Sequence, residues 1–455
     1  ANGTARVSTD TSGNVTGLVG PGGVVGAIDR SVDVRKYWAT PAPADESEAI
    51  QAAVNANPGR EIFFHQARHI FKSTIQINAS GTSFIGVNGE RVSSNGAELR
   101  FEPTTPQPAF RIGTDNAQPW DANSYNGVQR TVFKGLDIQM GGALRVDNLA
   151  LAGQYAAGCN GIEDWRGGHV RIDDCVIEGF ENNFWGIQSD FNHFSGLRSL
   201  YSRHGIYAGP RTDQFTIDDL YSFYCDTAVT IDGATMVVLN RPKLIICGSA
   251  TNYPVVVKQG STSIVVNQPW CENYSGATNQ IGFFQVGVEG GYTSTSAVSG
   301  FEVNSPMVGT GVGSPGSVLY LVVLGKAART TISMPTAGAG ISASTNLTAL
   351  AAFAPGFNHS TSGSTLHLKL ADNYQPSKMY ANLGTGTATV YASREASTVH
   401  TFANNNGRLA MYKFGGAVGS EELRLSTEGA PGQFVAATPT YATGQTIRVQ
   451  FRRSQ

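Results

Sequence analysis

Two carboxylates pose the first chemical question about this chain. Glu181 and Asp226 each stand nine residues beyond the start of a short tetrad, Ile172-Asp173-Asp174-Cys175 and Ile217-Asp218-Asp219-Leu220. Glu178 and Glu272 share a second position, six residues beyond Ile172 and Val266. Hydrolysis of a glycosidic bond needs two carboxyl groups, about 5–5.5 Å apart for retention of configuration and about 6.5–9.5 Å for inversion. Around them lie Tyr201, Arg203, His204, Tyr221, Tyr224, Lys243 and Trp270. The same neighbourhood also suits elimination from a uronic acid. There a cation such as Arg203 or Lys243 would neutralise the sugar carboxylate, and His204 or Tyr201 would take the adjacent proton.

Which of these residues meet depends on the elements that carry them. The tetrads recur as Leu136-Asp137, Ile172–Cys175, Leu197–Leu200, Ile217–Leu220, Leu239–Pro242, Val266–Pro269, Val303–Pro306 and Ile332–Pro335, at spacings of 20–37 residues. Each opens on a β-branched residue or Leu, continues through mostly polar positions and closes on Leu, Cys or Pro. Such a period describes a solenoid, here a parallel β-helix of short stacked strands with coils about 4.8 Å apart. On that spacing Glu178 and Glu272, four coils apart, are separated by on the order of 19 Å and are no pair. Glu181 and Asp226, two coils apart, are on the order of 10 Å from one another, near the inverting separation.

Four residues past each anchor stand Val176, Tyr201, Tyr221, Lys243 and Trp270. The next position holds Ile177, Ser202, Ser222, Leu244 and Cys271, small or apolar and suited to the interior. The first column therefore faces outward. Exposed aromatic faces along a groove stack on sugar rings, and they also pack subunit interfaces. The expected binding set is Tyr201, Arg203, Tyr221, Tyr224, Lys243, Trp270 and Glu272, with Glu181, Asp226, Glu178 and His204 as the catalytic candidates. The doublets Asp173-Asp174 and Asp218-Asp219 read as turns, and Glu163, Asp164 and Asp190 as loop residues.

Composition agrees with many strands and tight turns: 54 glycines and only 15% charged residues in 455. A net charge of -2 supplies no reason to expect nucleic acid or an anionic membrane as partner. No apolar run approaches the roughly 18 residues of a membrane span. Five cysteines lack metal-site spacing and read as buried thiols. No phosphate loop, zinc-binding pair or calcium loop is present, so neither cofactor nor metal is expected. Residues 45–54 read as a short amphipathic helix that plugs the open end of the coil.

Val32-Asp33-Val34, Ala49-Ile50-Gln51-Ala52-Ala53, Ile62-Phe63-Phe64, Ser73-Thr74-Ile75 and Phe84-Ile85-Gly86-Val87-Asn88-Gly89 together resemble the opening of pectate-lyase-superfamily β-helices. Within that superfamily the chain looks most like bacteriophage tailspikes, over roughly residues 30–345. The resemblance implies an all-β fold: a linker over 1–29, a right-handed parallel β-helix with an N-terminal capping helix over 30–345, and a C-terminal β domain over 346–455 that assists trimerisation or caps the coil. It also implies a homotrimeric virion protein, assembled in the host cytoplasm and joined to the phage baseplate or tail through a missing N-terminal region. Such a protein binds and depolymerises bacterial surface polysaccharide, O-antigen or capsule, at the host surface. A polysaccharide lyase and a non-catalytic adhesin are the alternatives.

Overall fold

A computed structural model describes residues 31–334 except 40–42, 66, 87–95, 114–126, 146–154, 249–251, 274–281, 291–295 and 311–319, together with the backbone of strands between 6 and 24 and between 349 and 449. The anchor residues form one inward column. Val32, Ile62, Phe84, Phe133, Ile172, Phe194, Ile217, Leu239, Val266, Val303 and Ile332 pair in parallel register from coil to coil. All are buried. Two residues beyond seven of them, from Phe133 to Val303, the backbone enters the left-handed region, at Gly135, Asp174, Gly196, Asp219, Arg241, Gln268 and Ser305, with φ of 49–64°. That single residue turns the chain from the first sheet into the second. Asp and Gly fit it because a short polar side chain or none relieves the clash that L-residues meet there.

Two expected tetrads sit in another register. The structure aligns Phe133 and Phe194, not Leu136 and Leu197, with Ile172. In both coils Phe takes the anchor place and Gly the corner, so the Leu occupies the tetrad's last position. The shift is three residues, and it moves Tyr201 out of the Tyr221 column; Arg198 takes its place.

The coils stack as two thirteen-stranded sheets and one nine-stranded sheet among the described residues, parallel from Ser31 to Tyr391, in the expected right-handed β-helix. A second left-handed corner, Gly179, Tyr201, Tyr224 and Ile246, leads from the second sheet to the third. Aromatic rings fill the core: Phe84 stacks on Phe133 at 5.1 Å, and Phe194 meets Phe184 and Phe215 edge-on at 4.6 and 4.7 Å. All five cysteines are buried. The helix Ser47–Ala56 buries Ile50, Ala53 and Val54 in the same core and covers its first coils. Its first turn is held by Asp45, whose carboxylate accepts the Ser47 N–H at 3.0 Å.

Parallel pairing continues past residue 345, through Ala349–Phe353 and Thr365–Leu370 to Met379–Asn382 and Thr389–Tyr391. Antiparallel pairing follows at Arg408–Phe414 and Glu422–Thr427. Strands Arg6–Thr9, Val15–Gly20 and Gly23–Val24 form a small antiparallel sheet of their own. No helix among the described residues is long and apolar enough to cross a membrane.

Because Phe194 is fully buried against two other rings, Phe194→Ala should cost about 3–5 kcal/mol of stability. The exposed Arg198 in the same coil should change it by less than about 0.5 kcal/mol when replaced by Ala. Equilibrium denaturation of both variants checks the contrast.

Candidate active site

The corner between the second and third sheets gathers most of the chemistry. Tyr201 and Tyr224 occupy its left-handed positions on adjacent coils, and their rings stack 5.6 Å apart at 9°. Phe223 meets Tyr224 at 4.3 Å and lies 6.2 Å from both Tyr201 and Tyr221, joining four aromatic rings in one cluster. The chain then goes inward for one residue, at Phe180, Ser202 and Cys225, before emerging at Glu181, Arg203 and Asp226. The pairing of Asn182 with His204, and of His204 with Thr227, places these three in one row on successive coils. The backbone separation of Glu181 and Asp226 is thus two strand spacings, on the order of 10 Å. Arg203, more than His204 or Tyr201, stands between them.

The charges of this row are ordered. Glu181 accepts a hydrogen bond from Arg203 Nη1 at 2.7 Å through Oε1 and from the Gly158 N–H at 2.6 Å through Oε2. Partial burial would push its carboxyl up. The Gly158 N–H and the Arg203 guanidinium outweigh this and hold it below the usual carboxylate range. Glu181 is therefore an anion at neutral pH, able to accept a proton but not to supply one. Arg203 is held protonated by its hydrogen bond to Glu181, and the Asp226 charge adds to the effect. Tyr155 faces the same three groups: burial pushes its phenol up, Arg203 pulls against this, and Asp226 and Glu181 add to the rise.

His204 opens the next position. Its Nδ1 lies 2.8 Å from Thr230 Oγ1, and its ring meets Tyr207 at 5.8 Å. Burial, with Arg203 and then Lys258 nearby, brings the imidazole down to about 4. The ring is neutral through the physiological range.

The remaining expected residues separate into two groups. Tyr221, Lys243 and Trp270 do form one outward column on the second sheet, with Arg198 where Tyr201 was expected. Glu178 and Glu272 share the neighbouring column, four coils apart as the spacing implied. Trp270 Nε1 donates to Glu272 at 3.0 Å, which ties that carboxylate to the stripe. Glu178 is different. It is only 2% exposed, lies 3.8 Å from Arg145 of the segment that follows the 3-10 turn Gly142–Leu144, and presents no open surface for a substrate. Its burial beside Arg145 sets it apart from the half-buried Glu181 and Asp226, which its position past the anchor could not reveal.

Sequence reasoning missed Phe223 and Tyr155. Phe223 stands two residues past Tyr221, the alternation that puts both on one face of a strand. Tyr155 ends a long connection between the second and third sheets, and no periodic signal points to it. Glu163 and Asp164, expected in a loop, belong to the strand Ala156–Trp165. The doublets fall at the first corner as expected. There Arg241 makes a bidentate pair with Asp219 at 2.8 Å, and Asp218 accepts from His193 and Asn240. Among the described residues no cluster of His, Cys, Asp or Glu has the arrangement of a metal site.

No protein-family model matches the chain, and no curated protein sequence is significantly similar to it. Solved structures do match its shape. The full-length tailspike protein 2 of an Escherichia coli O157:H7 bacteriophage superposes with a TM-score of 0.52 at 13% identity, over 90% of this chain and 57% of that one. A double mutant of the tailspike protein of the E. coli bacteriophage HK620 superposes with a TM-score of 0.53 at 13% identity, over 86% of this chain and 69% of that one. The chain thus spans little more than half of the first of these proteins. At such identity the likeness establishes the fold alone, a right-handed parallel β-helix that these tailspikes share.

His204 also yields a pH signature. Its folded pKa, about 4, lies below the roughly 6.5 of an unfolded histidine. As pH falls through that interval the unfolded chain binds a proton that the native state refuses, so stability declines with acidification. His204→Gln should flatten that decline between about pH 6.5 and 4, read from denaturation midpoints across the range.

Proposed function

We propose that this protein is a tailspike-type depolymerase that binds a bacterial surface polysaccharide along the corner between the second and third sheets and hydrolyses it internally. The observation that carries this reading is the Glu181–Arg203–Asp226 row beside the stacked Tyr201 and Tyr224 rings. A backbone separation on the order of 10 Å leaves the carboxyl groups near the range in which a water molecule fits between base and sugar. Glu181, kept ionised, is the base that takes the proton of that water. Asp226 is the acid that protonates the departing glycosidic oxygen. Tyr201 and Tyr224 offer the apolar faces of sugar rings a surface to stack on.

Elimination fits the arrangement less well. A lyase needs a cation free to meet the substrate's carboxylate, whereas Arg203, the cation of this row, is already held by Glu181 at 2.7 Å, and Lys243 stands away from the row in the Tyr221–Trp270 column of the second sheet. His204, a neutral base, keeps elimination as the second reading. In either case the chain acts in the virion tail at the host surface, as a homotrimer whose 346–455 segment assists assembly; a monomer mass in light scattering would remove the trimer.

Glu181→Gln and Asp226→Asn should each slow the shortening of purified lipopolysaccharide O-chains or capsule by about 10²-fold or more, followed by size-exclusion chromatography. Cleavage should create no ultraviolet-absorbing double bond. Full activity in both variants would overturn the assignment of roles. Binding without shortening by the unaltered protein would make it an adhesin.

A further inference from the structure

Four residues along the strand Phe180–Ile187 from Glu181, on the order of 13 Å at strand rise, the third sheet carries a second group of aromatic side chains. Glu163, Trp185, Tyr207 and Thr230 stand in one outward column on successive coils. Trp165 reaches into the group from the same strand as Glu163 and meets Trp185 edge-on at 4.6 Å; Trp185 lies 6.3 Å from Tyr207. These three rings are half-buried.

Both ends of the group are closed by ion pairs. Arg111 Nε meets Glu163 Oε2 at 2.9 Å on one side, and Lys258 Nζ meets Asp232 Oδ2 at 2.8 Å on the other. The rings are anchored to the same carboxylates. Trp165 Nε1 lies 3.4 Å from Glu163 Oε2, Tyr207 donates to Asp232 at 2.7 Å, and Lys258 Nζ stands 5.7 Å from the Tyr207 ring centroid. Two carboxylates are thus offset by two cations, and the surface has no net charge to offer a charged ligand. Rings restrained before binding lose little freedom when a ligand arrives, so stacking on them is retained as affinity. Rigid aromatic faces with a few fixed polar groups at their edges suit a sugar, which has apolar C–H faces and a rim of hydroxyls. An acidic sugar would have to displace Glu163 or Asp232 from its cation.

We propose that the Trp165–Trp185–Tyr207 face is a further subsite for an uncharged glycan, holding the part of the chain that extends across the third sheet from the bond cleaved at Glu181 and Asp226. The inference rests on the glycan-cleaving reading above and narrows it: the polymer lies across the coils' third sheet, and its segment over this face is neutral.

The test uses the full chain on an array of neutral O-chain and acidic capsular polysaccharides, with Trp185→Ala, Trp185→Phe and Glu181→Gln beside the unaltered protein. The protein should bind neutral glycans in preference to acidic ones. Trp185→Ala should weaken that binding roughly tenfold, Trp185→Phe should retain most of it, and Glu181→Gln should bind without shortening the glycan. Unchanged thermal unfolding of Trp185→Ala shows that the loss is local. If Trp185→Ala binds as the unaltered protein does, or if acidic polysaccharides bind best, the subsite is wrong while the cleavage roles stand or fall with Glu181→Gln. If Trp185→Ala instead alters the oligomeric mass, the face is an interface between copies and the subsite is wrong. If the unaltered protein neither binds nor shortens any glycan, both readings fail.

Discussion

Everything about this molecule depends on parallel strands hydrogen-bonding at one fixed spacing from coil to coil. Because each strand must satisfy its backbone groups with the coils before and after it, a residue's column is set by its offset from the inward anchor. Chemistry that is dispersed over tens of residues is thereby brought into straight rows. Glu181, Arg203 and Asp226 are separated by 22 and 23 positions and yet neighbour one another. The left-handed corners are the other half of this constraint. They turn the chain between sheets within one residue even where that residue is Tyr201, Tyr224 or Arg241 in place of glycine.

Rows of this kind make pairing between coils the dominant electrostatic pattern. Arg203 with Glu181, Lys258 with Asp232, Arg111 with Glu163 and Arg241 with Asp219 each join one coil to another. The more exposed of them, Arg203 with Glu181 and Arg241 with Asp219, add little to stability. Their consequence here is chemical: Arg241 at Asp219, and Arg203 together with the Gly158 N–H at Glu181, hold those carboxyls below their usual range, and the four cations are already engaged by a carboxylate. Hydrogen-bonded ladders do the same for uncharged groups, as in the run Asp218, Asn240, Asn267 and Asn304 along the first sheet. A polymer ligand lying on such a body meets a surface whose polar groups are already ordered.

The insertions act on that regular frame. Arg145, just past the turn Gly142–Leu144, lies against the buried Glu178, and Tyr155 brings a phenol to the edge of the carboxylate row, although neither effect follows from the repeat. A solenoid can accept such loops because they leave the anchor column unchanged, and this is where one β-helix departs from another in chemistry.

The amino-acid sequence by itself determined the coil, the inward anchors and the two-coil separation of Glu181 from Asp226, because a period of apolar residues and turn residues reports local backbone geometry directly. It also placed Glu178 and Glu272 four coils apart and the end helix close to where it lies. It misjudged the coils beginning at Phe133 and Phe194, where a Leu three residues later mimics the anchor, and so it set Tyr201 beside Tyr221 in place of Tyr224. Only the tertiary structure decided that Arg203 stands between the carboxylates, that Glu178 is covered, and that Trp165, Trp185 and Tyr207 share a face. Those facts depend on side-chain direction, strand register on the third sheet and the path of insertions, which follow from packing between coils and leave no periodic trace in the chain.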